Sequence, residues 1–129
     1  MDPYNALSQL KKLVDDCDEA INEGKLAIAT KDVDLVAKFL ASAKSIYERL
    51  YPFVEEIKNI IENYGDEDRL LKYVSVYYRV LTLVSVPYVV LILKNLEGFL
   101  GKQGHIDKIE EVKRIITGFE QVLSTLKQR

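Results

Sequence analysis

Residues 33–64 read VDLVAKFLASAKSIYERLYPFVEEIKNIIENY. Val33, Val36, Leu40, Ala43, Tyr47, Leu50, Val54, Ile57, Ile61 and Tyr64 follow one another at steps of three and four without a slip. That alternation puts all ten on one face of an α-helix. Phe39, Ile46, Phe53 and Ile60 form a second track at intervals of seven and widen the apolar stripe. Pro52 interrupts the run on the polar line of Ser45 and Asn59, where loss of one backbone donor is least costly. The reading is a long helix, kinked or broken near Pro52.

The pattern repeats on both sides of this segment. Upstream, Asp2-Pro3 is a helix start, because the Asp carboxylate accepts a free backbone N–H and Pro at the first position gives up none. Leu7, Leu10, Val14, Cys17, Ile21, Gly24 and Ile28 then mark a helix over 3–29. Thr30-Lys31-Asp32 breaks the register, and Asp32 or Asp34 caps the helix over 33–64. Tyr64-Gly65-Asp66 supplies a stop and a new cap. A third helix over 67–98 follows, with Leu70, Val74, Tyr77, Leu81, Val84, Tyr88 and Leu91 as its inner stripe. Gly101-Lys102-Gln103-Gly104 reads as the one flexible loop, and a fourth helix over 106–127 carries Ile109, Val112, Ile116, Phe119, Leu123 and Leu126. Short connections favour antiparallel neighbours, so the expected fold is an all-α, antiparallel up-down four-helix bundle of long helices, one domain over 1–129.

Composition agrees and narrows the function classes. The chain has 129 residues, 48% of them hydrophobic, which is too many for disorder. One Cys excludes a disulfide framework and a cysteine-based zinc site. Net charge is −2, unlike a general nucleic-acid binder. The start shows no basic, apolar leader pattern. The longest uncharged apolar run, Val80 to Leu93, is 14 residues, against about 20 for a spanning helix. The expectation is a cytoplasmic protein with no membrane span. High Lys and Glu with few Cys, Met and Gln is a bias also met in thermophile proteins.

Catalytic and metal motifs are sparse. The single His, His105, has Lys102 three residues before it, so the Glu-x-x-His of di-metal bundles is absent. No Arg precedes it with four to six residues between, as helical ribonuclease-type sites require, since those positions are Gly98, Phe99 and Leu100, and no phosphate-cradling Gly-rich loop with Lys-Ser/Thr occurs. Cys17 sits on an apolar stripe and reads as a small buried hydrophobe. The acidic run Asp15-Asp16-Cys17-Asp18-Glu19, with Glu23, splits over two helix faces, and Lys12 can pair with Asp16 one turn on. It reads as a solvated surface rather than a cation site. Small residues at crossing points (Ala20, Gly24, Ala27, Ala37, Ala41) invite comparison with tetratricopeptide repeats, but these helices are about twice too long and nothing recurs near 34 residues. No enzyme chemistry and no cofactor is expected.

One feature exceeds a simple bundle. In the second half of the third helix, Leu83, Val86, Val90 and Leu93 form a second stripe opposite Leu81, Val84, Tyr88 and Leu91. With Tyr78 they compose a candidate interface, since an apolar patch of this kind usually marks a binding surface. Tyr73, Tyr77 and Tyr78 add the residue type that interfaces favour. Pro87, inside the run, is where the two stripes can drift. The reading is a non-catalytic interaction or assembly subunit, self-associating as a dimer or docking another helical protein. The alternative is a helical accessory subunit of a nucleic-acid complex. Lys102, Lys108, Lys113 and Arg114 of the basic C-terminal region would then touch phosphate, against the repulsion of Asp107, Glu110, Glu111 and Glu120.

Overall fold

The computed structural model describes residues 2–63 and 69–127, with side chains to residue 125. The expected stop and cap at 64–66 lie outside the described residues. Four helices make an all-α bundle: α1 (Pro3–Thr30), α2 (Val33–Asn63), α3 (Arg69–Gln103) and α4 (Ile106–Lys127).

The ends obey local chemistry. Asp2 accepts the Asn5 backbone N–H at 2.8 Å, and Pro3 opens α1. Lys31 takes a left-handed conformation (φ 55°), after which the Asp32 carboxylate accepts the N–H groups of Asp34 and Leu35 at 2.9 and 3.4 Å. The α1–α2 turn is therefore a stop and a cap within two residues. Pro52 does not break α2, which runs through it with the ring exposed. The expected loop at 101–104 shrinks to one residue. α3 continues to Gln103, and Gly104, at φ 78°, turns the chain into α4 through His105.

Partner directions follow from side-chain pairs. Arg49 of α2 reaches Asp16 of α1, and Ser42 reaches Glu23, so these helices run antiparallel. Lys94–Glu120 and Lys113–Glu97 set α3 and α4 antiparallel in the same way. Lys11 lies over the Tyr77 ring and Lys25 over Tyr88, so α1 and α3 run in one sense. The principal seams of the core are α1 with α2, α1 with α3, and α3 with α4, whereas α2 and the first part of α3 share little. Leu10, Leu13, Cys17, Phe39, Ile46, Ile57, Leu81, Leu93 and Phe119 are among its buried side chains. Gly24 permits the closest approach. A Cβ there would stand 2.5 Å from Ile92 Cγ2 and 2.9 Å from the Phe39 ring.

The chief departure from a regular helix lies in α3. Leu81–Ser85 form a π-helical turn, in which the Val86 N–H donates to the Leu81 carbonyl five residues back. Pro87 follows directly. It cannot donate to the Leu83 carbonyl, and its ring crowds that carbonyl in a regular helix. One extra residue in the preceding turn relieves the crowding. The Thr82 hydroxyl donates to the Tyr78 carbonyl at 2.9 Å where the ladder changes pitch.

Candidate interaction face on the third helix

The π turn decides which side chains face out. An extra residue in one turn displaces every later residue by one position around the helix. Upstream of it, Val74 and Leu81 are buried as the 3.5-residue period predicts. Downstream, the expected inner residues Val84, Tyr88 and Leu91 give way to their neighbours Ser85, Val89 and Ile92, all buried. Val84 is 59% and Leu91 54% exposed, and Tyr88 is 37% exposed.

The expected interface residues are corrected by the same displacement. Val86, Val90 and Leu93 are core residues, 0–7% exposed, and Tyr78 is half-buried. Leu83 alone stays on the surface, at 68%. An exposed apolar face nonetheless exists, made of other residues. Tyr73, Val76, Leu83, Val84, Tyr88 and Leu91 line one side of α3 at helical spacing. The face is about 27 Å long at 1.5 Å per residue. These fractional exposures amount to roughly 600 Å² of surface, the upper end of what a monomer ordinarily leaves open. The signals for the displacement are present in the sequence: a proline preceded by Thr82 and Ser85 in an otherwise apolar run.

Bases lie along the face and on its α1 side. Lys72 and Arg79 lie on one line with Val76 and Leu83, at steps of four, three and four. Between Val76 and the end of α2 runs a groove of about 400 Å³ lined by Ile61, Leu71, Lys72, Ser75 and Arg79. On the other side the Lys11 and Lys25 ammonium groups stand 5.5 and 4.8 Å from the Tyr77 and Tyr88 ring centres, cation–π contacts worth about 0.5–1 kcal/mol each at such exposed sites. Tyr78, on the α2 side with Lys58, Ile61 and Arg79, has its phenol pushed up to about 12 by burial and then by Glu55.

Elsewhere the polar residues neutralise one another. A groove of about 670 Å³ between α1 and α2 contains Lys12, Asp16, Glu19, Glu23, Lys38 and Arg49. Asp16 accepts from Arg49 at 2.7 Å and faces Lys12 at 3.7 Å, the expected one-turn pair. Glu23 accepts from Ser42 at 2.9 Å and faces Lys38 at 3.9 Å. Such exposed pairs contribute about 0–1 kcal/mol each. Among the described residues no group of three metal-ligating side chains is assembled. Cys17 is buried, its thiol pushed up to about 12 by desolvation and then by Asp18 and Asp16. His105 is exposed at the start of α4.

The basic residues of the C-terminal region are spread out. Lys102 ends α3, whereas Lys108, Lys113 and Arg114 fan around α4 at 100° per residue rather than sharing a face. Lys113 is paired with Glu97. Arg114 lines a small groove with Lys44, Glu48 and Glu111.

By length and composition α3 is the one helix among the described residues able to cross a membrane. An 18-residue window has mean hydropathy 1.9, and 44% of that window is buried in the bundle. The 14-residue run read from sequence understates this helix, because the lone Arg79 does not end it. Comparisons with protein-family models, curated proteins and solved structures find no match.

Proposed function

We propose that the chain is a non-catalytic interaction or assembly subunit that docks through the exposed face of α3. One observation carries this reading: a stripe of six large apolar side chains, 37–68% exposed, on a helix whose opposite side is the bundle core. Burying roughly 600 Å² at ~25 cal/mol/Å² would contribute on the order of 10 kcal/mol before the costs of association. Water is thus a poor long-term neighbour for this face. A second copy of the chain and another helical protein are the two protein occupants, and a cytoplasmic setting fits either.

A photo-crosslinking residue placed at Leu83, and separately at Arg114, tests the reading in cells of the source. A discrete protein adduct from position 83 and none from 114 is the expected result. Adducts from 114 alone would overturn it and favour contact through the basic C-terminal helix.

A further inference from the structure

We infer that the occupant of the α3 face is an amphipathic helix of another protein whose apolar stripe is bordered by carboxylates. This inference rests on the docking face proposed above and adds the chemistry of what fills it.

Charge is the first ground. From Arg69 to Leu96, α3 contains bases and no acid. Lys72 and Arg79 alternate with Val76 and Leu83 along the face, Lys11 and Lys25 flank it on the α1 side, and none of the four has an ion-pair partner among the described residues. The chain as a whole carries −2. A positive border on a net-negative protein is a separation of charge that a partner's carboxylates would complement.

Symmetry is the second ground. Two copies joined by a two-fold axis across this face would oppose like charges in either orientation. With the α3 helices antiparallel about Leu83, Lys72 meets Lys94, itself paired with Glu120, so the uncompensated repulsion falls on the α1 side. The Lys11–Tyr77 and Lys25–Tyr88 contacts put Asp18, midway between the two lysines, at the level of Leu83. In that dimer Lys11 therefore meets Lys25 and Asp18 meets its own copy. With the helices parallel, Lys72 and Arg79 meet themselves.

Shape is the third ground. The face is one helix wide and about five turns long, its apolar residues stepping by three, seven, one, four and three along α3, a width and length that one docked helix with anchors at i, i+3, i+4 and i+7 would cover.

The test uses the full chain and two synthetic helical peptides of about 21 residues. Both carry a Leu stripe at that spacing, one bordered by Glu and the other by Lys. Titration followed by amide NMR should show the Glu-bordered peptide binding at least about tenfold more tightly, with shifts centred on residues 76–91. Lys72→Glu with Arg79→Glu should reverse the preference, and Leu83→Glu with Leu91→Glu should abolish both. Equal affinities, or an unreversed preference, would overturn the inference. So would sedimentation of the wild-type chain with vesicles of 80% phosphatidylcholine and 20% phosphatidylserine, or a wild-type dimer, if either is lost in the Leu83/Leu91 variant. Those two results would leave the docking face standing with a different occupant. No effect of the Leu83/Leu91 variant on any of these measurements would remove the face itself.

Discussion

At the scale of single residues, space and solvation set the outcomes. Glycine in a helix interior costs about 1 kcal/mol relative to Ala, so Gly98 and Gly101, with nothing within 4 Å of an added Cβ, are sites where Ala should stabilise. Gly24→Ala places its Cβ 2.5 Å from Ile92 and 2.9 Å from Phe39, side chains held in the core. Overpacking of about 1–3 kcal/mol exceeds the propensity gain there. Thermal unfolding should therefore rise in Gly98→Ala and Gly101→Ala and fall in Gly24→Ala. Cys17 gives a pH-dependent counterpart. Burial raises its thiol from near 9 to about 12, so the folded state holds the proton more tightly than the unfolded chain. The resulting stability is complete below about pH 9 and is lost as pH climbs toward 12. Tyr78, raised from 10 to about 12, acts in the same direction over the upper part of that window. A melting-temperature profile from pH 8 to 11 should fall less steeply for Cys17→Ala than for the wild type. Parallel profiles would contradict the assignment.

At the scale of elements, the sequence announces the helices plainly and hides one turn. The three-four alternation and the Asp2-Pro3 and Asp32 caps define α1 and α2 to within a residue, because periodicity and capping are local properties. Pro52 is tolerated because it lies on the solvent side, where the missing bond is least costly. Gly101 stays helical because α3 continues to pack through Leu100, which is 1% exposed. The face assignment beyond Leu81 is a different matter. Extrapolating a period assumes constant pitch, and the π turn before Pro87 inserts one residue that the pattern alone does not count. Val86, Val90 and Leu93 thereby turn to the core, whereas Tyr78, ahead of the turn, is half-buried beside α2. A deletion distinguishes this cause from a simple tilt of the helix. Removing Leu83 converts the π turn to a regular one and leaves Val86, Val90 and Leu93 facing the core. The variant should stay folded but melt lower, by roughly the 3 kcal/mol that Pro87 costs once it sits in a regular helix. Removing Lys94, in regular helix, rotates Leu96 and Leu100 by about 100° out of the core and should unfold the protein. Equal damage from both deletions would refute the bulge as the origin of the displaced face.

At the scale of the whole molecule, α3 serves as core and as surface, and adjacent residues belong to opposite regimes. Val90 is 7% exposed and joins the buried cluster with Val86 and Leu93, while Leu91 is 54% exposed with its stripe in water. This division is what makes a docking role compatible with a stable bundle, because a contact can form and release on one side without disturbing the other. A charge introduced at each position reads it directly. In Val90→Glu an ionised carboxylate enters an apolar core with no partner, and the cost, about 4 kcal/mol or more, is comparable to the whole stability of many domains. Circular dichroism should show lost helix or a melting transition lowered by more than 10 °C. In Leu91→Glu the carboxylate stays hydrated, and the change should lie within about 0.5 kcal/mol of the wild type, with a gain in solubility as the apolar patch shrinks. If the two substitutions instead behave alike, the inner and outer faces of α3 are not separated as described, and the docking face loses its structural basis.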